Sequence, residues 1–494
     1  MENLKWDKDG LYQLVREKLG DYLFLVVSNR EPYIHTMSGN EIICNRPVSG
    51  LTEALDPVMR ASKGTWVAHG SGDADRKVVD SSNRVAVPPE KPEYTLRRVW
   101  LTQDEVEGFY LGFSNEALWP LCHVAFTQPN FRESDWNSYK KVNQIFAEAV
   151  IKEIGDRKAV VLVQDYHFAL LSRLLRKQKP ELTIGQFWHI PWPTHEIFRT
   201  CPWQEEILDG MLGNDLMGFH IPSFCTNFLE TVEHGLKSKV DHEKSTAFYH
   251  GKTTLVQPFP ISVDFDGLSQ EAADKEVELE MDNLRRELNL EGKYVGVGMD
   301  RIDYTKGIPE RLQALDKFFE HFPDYRGKVV FIQAGMPSRT QIESYQNLNQ
   351  KMENLTKHIN DTYGNKSWQP VVPLTRQLTH TTLAALRRLA NFCVVSSLQD
   401  GMNLVAKEFA SSRVDGDGVL ILSQFAGAAD EMPDAILINP FAIDEFARKI
   451  KEAIEMPQAE RRRRMKAMRE TVAGNNIYRW GASMVLKLIS MAGI

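Results

Sequence analysis

The chain has 494 residues, 43% apolar and 25% charged, with a formal net charge of −7. That length exceeds one ordinary core and fits two domains, the acidic balance argues against a nucleic-acid partner, and no run approaches the roughly 18 apolar residues of a membrane span. The polar N-terminus lacks the basic-then-apolar order of a secretory leader, and five scattered cysteines without a CxxC pair argue against a disulfide framework or a zinc site, so a cytoplasmic protein is expected.

In chain order, short apolar runs at 23–28, 160–164, 184–189, 294–299, 328–334, 392–396 and 419–423 read as strands. Amphipathic stretches at 135–154, 168–178, 309–321 and 381–390 read as helices between them, and 269–290 as an acidic helical stretch. Continuous apolar strands alternating with helices predict buried parallel sheets, an α/β fold with ligands at the carboxyl ends of strands. The strands fall into two sets joined by 257–266, which carries Pro258 and Pro260 and no helical period. The expected division is a domain over 1–260, a second over 261–475, and a final helix over 476–494 packing back on the first. A basic run, Arg461 to Arg464 with Lys466, fits a solvated helix face or an anion patch.

Three segments carry candidate chemistry. In 296–307 a glycine-bearing strand end precedes Arg301 and Lys306 and then a helix; glycines allow close backbone approach, and the two cations suit a diphosphate leaving group. A surface turn with two solvated cations fits the same residues. In 400–408, Asp400 is suited to sugar hydroxyls and Glu408 to a ribose, while an N-cap at Asp400 and a surface carboxylate at Glu408 fit as well. Asp165 and His189 end two neighbouring strands and would reach the same crevice; a structural hydrogen-bonding histidine is the other reading. A catalytic triad lacks its nucleophile elbow, and a nicotinamide dehydrogenase lacks its glycine fingerprint.

Taken together, the chain resembles the trehalose-6-phosphate synthase family of retaining glycosyltransferases, glycosyltransferase family 20. The motifs are Ser28-Asn-Arg30, Phe109-Tyr-Leu-Gly-Phe-Ser-Asn-Glu-Ala-Leu-Trp-Pro120, Asp165-Tyr-His167, His189-Ile-Pro-Trp-Pro193, Arg301-Ile-Asp-Tyr-Thr-Lys-Gly307, Pro337-Ser-Arg339, 400–408 and Ser423-Gln-Phe-Ala-Gly-Ala428. The resemblance implies a GT-B fold, two Rossmann-like domains with parallel sheets facing a central cleft. The N-terminal domain would bind the acceptor and the C-terminal domain the nucleotide-sugar donor.

By the same resemblance, Arg301 and Lys306 are the diphosphate clamp. Gly50, Gly401, Met402, Asn403, Leu404 and Val405 contact the donor, Glu408 takes its ribose, and Asp400 its glucose. His189 stands beside the donor sugar and Asp165 beside the acceptor, whose phosphate falls to Arg30 and Arg339 with Tyr110 and Trp119. The implied reaction moves glucose from a nucleotide-diphosphate glucose, UDP-glucose by preference, to glucose 6-phosphate with retention. It needs no cofactor and no metal. Two departures stand out: Val48-Ser-Gly-Leu51 where the family has a Gly-Gly loop, and the insertion 31–47 before it. Glucosylglycerol-phosphate synthases, which use glycerol 3-phosphate, share the 29–33 beginning. A silent sugar-phosphate-binding homologue is a further alternative. A homo-oligomer is allowed.

Overall fold

The computed structural model describes residues 6–47, 50–335, 339, 341–376 and 378–493. The chain divides into two compact units, one of Met1–Ile261 with Ile477–Ile494, the other of Ser262–Asn476.

The first unit carries β1 (Leu23–Ser28), β2 (Ile34–Ser38), β3 (Glu41–Asn45), β4 (Thr65–His69), β5 (Arg84–Val87), β6 (Tyr94–Val99), β7 (Ala159–Gln164), β8 (Thr183–Phe187), β9 (Leu216–Phe219), β10 (Lys239–Asp241), β11 (Thr246–Tyr249) and β12 (Lys252–Pro258). Ten of them form one sheet, ordered β10-β11-β12-β9-β8-β7-β1-β4-β6-β5. From β12 to β6 each neighbouring pair is parallel, and the outer pairs are antiparallel. The chain starts centrally at β1, winds outward through β4 and β6, and returns to β7 on the other side of β1. The winding reverses between β1 and β7, and at such a point the loops leaving the two strands diverge and open a crevice. The insertion at 31–47 contributes β2 and β3, which pair only with each other among the described residues. The last helix, Ile477–Met491, belongs to this unit, where Trp480 donates its indole N–H to the Phe259 carbonyl at 3.1 Å.

The second unit carries β13 (Tyr294–Met299), β14 (Val329–Ala334), β15 (Val371–Leu374), β16 (Phe392–Val395), β17 (Val419–Ser423) and β18 (Ile436–Ile438), ordered β15-β14-β13-β16-β17-β18 with all pairs parallel. Counted within the unit this is 3-2-1-4-5-6, the doubly wound Rossmann order, with its reversal between β13 and β16. Residues of β14, β16 and β17 are buried throughout, which is why they read as unbroken apolar runs. The acidic stretch expected as one helix is two, Phe265–Ala272 and Lys275–Glu287, because the backbone is extended at Asp274. Among the described residues, no helix is long and apolar enough to cross a membrane.

Candidate functional site

At the reversal point of the second unit, the loops leaving β13 and β16 are bonded to each other. Leu398 N–H donates to the Thr305 carbonyl at 2.7 Å, and Ser396 Oγ donates to the carbonyls of Lys306 and Gly307 at 3.0 and 2.9 Å. Gly307 makes that approach possible. It has φ +61°, and a Cβ there would overlap the Ser396 carbonyl oxygen. The glycines inside β13 have a different use from the ligand approach expected of them. A Cβ on Gly296 would strike the Phe392 ring, and one on Gly298 the Arg311 guanidinium. Arg311 is fully buried and neutralised by Asp300 at 2.7 Å, with Gln333 at 2.9 Å and Ser396 at 3.0 Å. These glycines make room for packing beneath the site.

The bonded loops bring Lys306 and Asp400 together: Lys306 Nζ lies 2.5 Å from Asp400 Oδ2. The same carboxylate oxygen accepts from Ser397 Oγ at 3.0 Å and Asn403 Nδ2 at 3.1 Å. Asp400 is therefore no N-cap. Asn403 caps the helix Leu404–Ser412, its Oδ1 accepting from Ala406 N–H at 3.3 Å, with φ +74°. The loop over Gly401 and Met402 is braced from the β17 side, where Gly427 and Ala428 N–H groups bond the carbonyls of Asp400 and Met402 at 3.2 and 2.8 Å. Leu404 and Val405 form the first helical turn, whose N–H groups have no carbonyl four residues back and favour an anion. Glu408 is half-buried and ion-paired with Arg387, so it is no free surface carboxylate.

Arg301 is exposed and leans toward Asp303, Nη2 to Oδ2 3.6 Å. Asp303 is fully buried. Its Oδ1 accepts from Thr305 N–H and Oγ1 at 3.1 and 2.9 Å, and its Oδ2 from Tyr345 OH at 2.8 Å. Arg339 Nη1 sits 3.4 Å from that Oδ2 and also bonds the Tyr345 hydroxyl. Burial alone would raise the Asp303 pKa, but Arg339, Arg301 and Lys306 together outweigh it and bring it down to about 2. Pro337 and Ser338 of the expected Pro-Ser-Arg motif lie outside the described residues.

In the first unit the winding reverses between β1 and β7, and Arg30 and Asp165 follow those two strands. Asp165 has φ +72° and ψ 176°, a region nearly reserved for glycine that costs an ordinary residue about 1–3 kcal/mol. Its own carboxylate holds the turn, Oδ1 accepting from Tyr166 N–H at 2.9 Å and from His189 N–H at 3.1 Å. Asp165 and His189 are thus joined directly, although β8 stops at Phe187, two residues earlier than expected. His189 Nε2–H donates to Gln164 Oε1 at 2.9 Å, and His220 Nε2–H donates to the His189 carbonyl at 3.0 Å. Burial, with His220 and His167 nearby, holds the His189 pKa well below its ordinary value, so the ring is neutral.

Arg30 is exposed, and its Nη2 lies 3.4 Å from the Tyr110 hydroxyl. Tyr110 sits on the π-helix Glu107–Leu118, whose wide turns carry the i to i−5 bond from Trp119 N–H to the Ser114 carbonyl. Tyr110 is half-buried and stacks on His167, rings 5.7 Å apart at 16°. Trp119 is buried instead, against His123 at 4.1 Å and Tyr166 at 5.9 Å, so of this aromatic pair only Tyr110 keeps a partly open face. Gly50 opens the helix Gly50–Ser62, while Val48 and Ser49 lie outside the described residues.

Residue types in the motifs did not single out Asp303, Arg311, Gln164 or His220. The available signal was a lone carboxylate between two cations, as at Asp303 between Arg301 and Lys306. In the basic run, Arg461 pairs with Asp417 at 2.6 Å, and Arg463 and Arg464 pair with Glu460 at 2.8 and 2.7 Å. Three of its cations are engaged structurally on the helix Gln458–Gly474.

The model of glycosyltransferase family 20 matches residues 23–490. The trehalose-6-phosphate synthase of Mycobacterium marinum is 36% identical over 482 residues, covering 95% of this chain and 94% of that protein. The α,α-trehalose-phosphate synthase (UDP-forming) of Burkholderia xenovorans, solved in complex with glucose-6-phosphate, is 28% identical with a TM-score of 0.83, covering 94% of this chain and 99% of that one. A trehalose-6-phosphate protein of E. coli, solved bound with UDP-2-fluoro glucose, is 29% identical with a TM-score of 0.85, covering 94% and 98%.

Proposed function

We propose, since the chain belongs to glycosyltransferase family 20, that it is a trehalose-6-phosphate synthase: it transfers glucose from UDP-glucose to glucose 6-phosphate with retention. The observation that carries this reading is the junction of the β13 and β16 loops, where Lys306, Asp400 and the first turn of Leu404–Ser412 share one reversal point of a Rossmann sheet. That combination suits a sugar diphosphate. The helix N-terminus and Lys306 face its negative charge, and the Asp400 carboxylate accepts from sugar hydroxyls.

In the reaction, Arg301 and Lys306 stabilise charge gathering on the departing diphosphate as the glycosidic phosphate bond breaks. Glu408, held by Arg387, accepts from the ribose hydroxyls. The acceptor hydroxyl attacks from the face the diphosphate leaves, and a phosphate oxygen of the leaving group takes its proton. Retention follows, and no protein nucleophile and no metal ion are called for. Arg30 with Tyr110, and Arg339, are assigned to the acceptor phosphate through charge-assisted bonds. Asp165 is assigned to the acceptor sugar and neutral His189 to the donor sugar. Five cysteines without a disulfide support a cytoplasmic location.

The test offers the purified chain UDP-, GDP- and ADP-glucose against glucose 6-phosphate and glycerol 3-phosphate in competition, with products resolved by mass. Trehalose 6-phosphate from UDP-glucose is the expected main product. Glucosylglycerol phosphate as the main product would replace this reading with that of a glucosylglycerol-phosphate synthase, and no transfer to either acceptor would leave a sugar-phosphate-binding homologue.

A further inference from the structure

The proposed mechanism gives Arg301 to the donor and Arg339 to the acceptor, and it leaves Asp303 without a part. Yet Asp303 Oδ2 is where the two guanidinium groups converge, Arg301 at 3.6 Å and Arg339 at 3.4 Å. We infer that Asp303 is a positioning residue common to both substrates, its one carboxylate aiming the donor arginine and the acceptor arginine together, with Tyr345 fixing the acceptor arm alone.

The carboxylate is suited to act as an anchor because it cannot turn. Thr305 holds Oδ1 through both its N–H and its hydroxyl, and Tyr345 holds Oδ2 at 2.8 Å. Thr305 is in turn fixed by the bond from Leu398, so the anchor is tied to the junction that also carries Lys306 and Asp400. Tyr345 is itself buried, and the Arg339 guanidinium packs 5.5 Å from its ring centre. Two arginines aimed at anions would otherwise repel and spread, and each would have to be ordered when its ligand arrives. A fully buried anion between them removes both costs. The charge is secure there, since the surrounding cations bring the Asp303 pKa down to about 2.

The arrangement divides the two arms. Among the described residues the Tyr345 hydroxyl bonds Asp303 and Arg339, and Arg301 is not one of its partners. Removing the carboxylate should weaken both substrates, whereas removing the hydroxyl leaves the two Thr305 bonds on Oδ1 to hold the carboxylate, so the loss falls on the acceptor arm. A residue that merely holds up the fold would lower active-enzyme concentration, hence kcat, and leave both KM values in place.

The inference rests on the assignment of Arg301 and Arg339 under the proposed function, and the experiment keeps the two apart. Asp303→Asn and Tyr345→Phe are compared with the parent chain in steady-state kinetics with UDP-glucose and glucose 6-phosphate, and UDP and inorganic phosphate are each titrated calorimetrically. Loss of one aimed, charge-assisted contact predicts about a tenfold rise in KM. Asp303→Asn should raise the KM of both substrates by that factor, and Tyr345→Phe only that of glucose 6-phosphate. UDP affinity should fall in the first variant and hold in the second. Equal effects of Tyr345→Phe on both substrates, or unchanged KM values in Asp303→Asn with only kcat reduced, would overturn the inference. If Asp303→Asn does not fold, the split in Tyr345→Phe decides alone. A parent chain that makes no trehalose 6-phosphate sinks the functional reading instead, and the UDP and phosphate titrations then still judge the anchor.

Discussion

Truncating Lys306 to alanine separates its two roles. In the resting enzyme its ammonium neutralises Asp400 at 2.5 Å, with the two side chains only 14% and 12% exposed. Removing one partner of such a pair leaves a mostly buried charge, which typically costs about 3–5 kcal/mol. Asp400 retains Ser397 and Asn403 as donors, so the lower end applies, and at roughly 2–4 °C per kcal/mol a Tm drop on the order of 10 °C follows. In the transition state the same change removes a cation from the departing diphosphate, an electrostatic loss of about 3–4 kcal/mol, or about 10²- to 10³-fold in turnover. The assay is formation of trehalose 6-phosphate at saturating and limiting UDP-glucose, beside a thermal melt. Lys306→Ala should lose mainly kcat, with the KM for glucose 6-phosphate near the parent value. A kcat within threefold of the parent, in a sample that melts as one folded species, would refute the clamp.

Other outcomes follow from the same structure. Gly307→Ala should lose about 3 kcal/mol or more, since about 1–2 kcal/mol for a left-handed alanine adds to the collision with the Ser396 carbonyl. Gly20→Ala, at φ +59° with nothing within 4 Å, should lose the conformational part alone, and equal melts for the two would discount the collision. Asp303 has its pKa lowered from 3.8 to about 2, so its contribution of about 2 kcal/mol is complete above pH 3.8 and disappears as pH falls toward 2. Asp303→Asn should lack that increment at neutral pH and show a flatter acid limb in chemical denaturation. His189 has its pKa lowered below 6.5, so the folded state resists its protonation and stability declines as pH drops through 6.5; His189→Gln should remove part of that slope. An unchanged slope would count against a buried neutral ring.

The central sheets were legible because their strands are buried on both faces. All seven expected strands are present, with ends displaced by at most two residues. The hairpin β2–β3 and the outer strands β10 to β12 were not, since exposed residues such as Glu41, Lys239 and Thr253 break any apolar run. The buried β4 and β9 are as long as the legible β17 and β16, and nothing in the structure explains why they were missed. At the site, residue type and order nominated Lys306 and Asp400 in separate segments and brought Asp165 and His189 to one crevice; the direct contact of Lys306 with Asp400 is seen only in the structure. What a motif cannot express is which glycine serves which purpose. Gly298 and Gly307 look alike in sequence, but one clears space for Arg311 and the other for a carbonyl of the facing loop. Nor can it express convergence. Asp303, Arg339 and Tyr345 are spread over 42 positions and meet only because the chain after β14 returns to the end of β13.

The most direct measurement follows the purified chain by proton NMR with UDP-glucose and glucose 6-phosphate, reading the anomeric protons of the first product. A single disaccharide phosphate with both anomeric centres α, formed in step with UDP, is the expected product. A β linkage at the transferred glucose, or release of UDP with free glucose and no disaccharide, would contradict it.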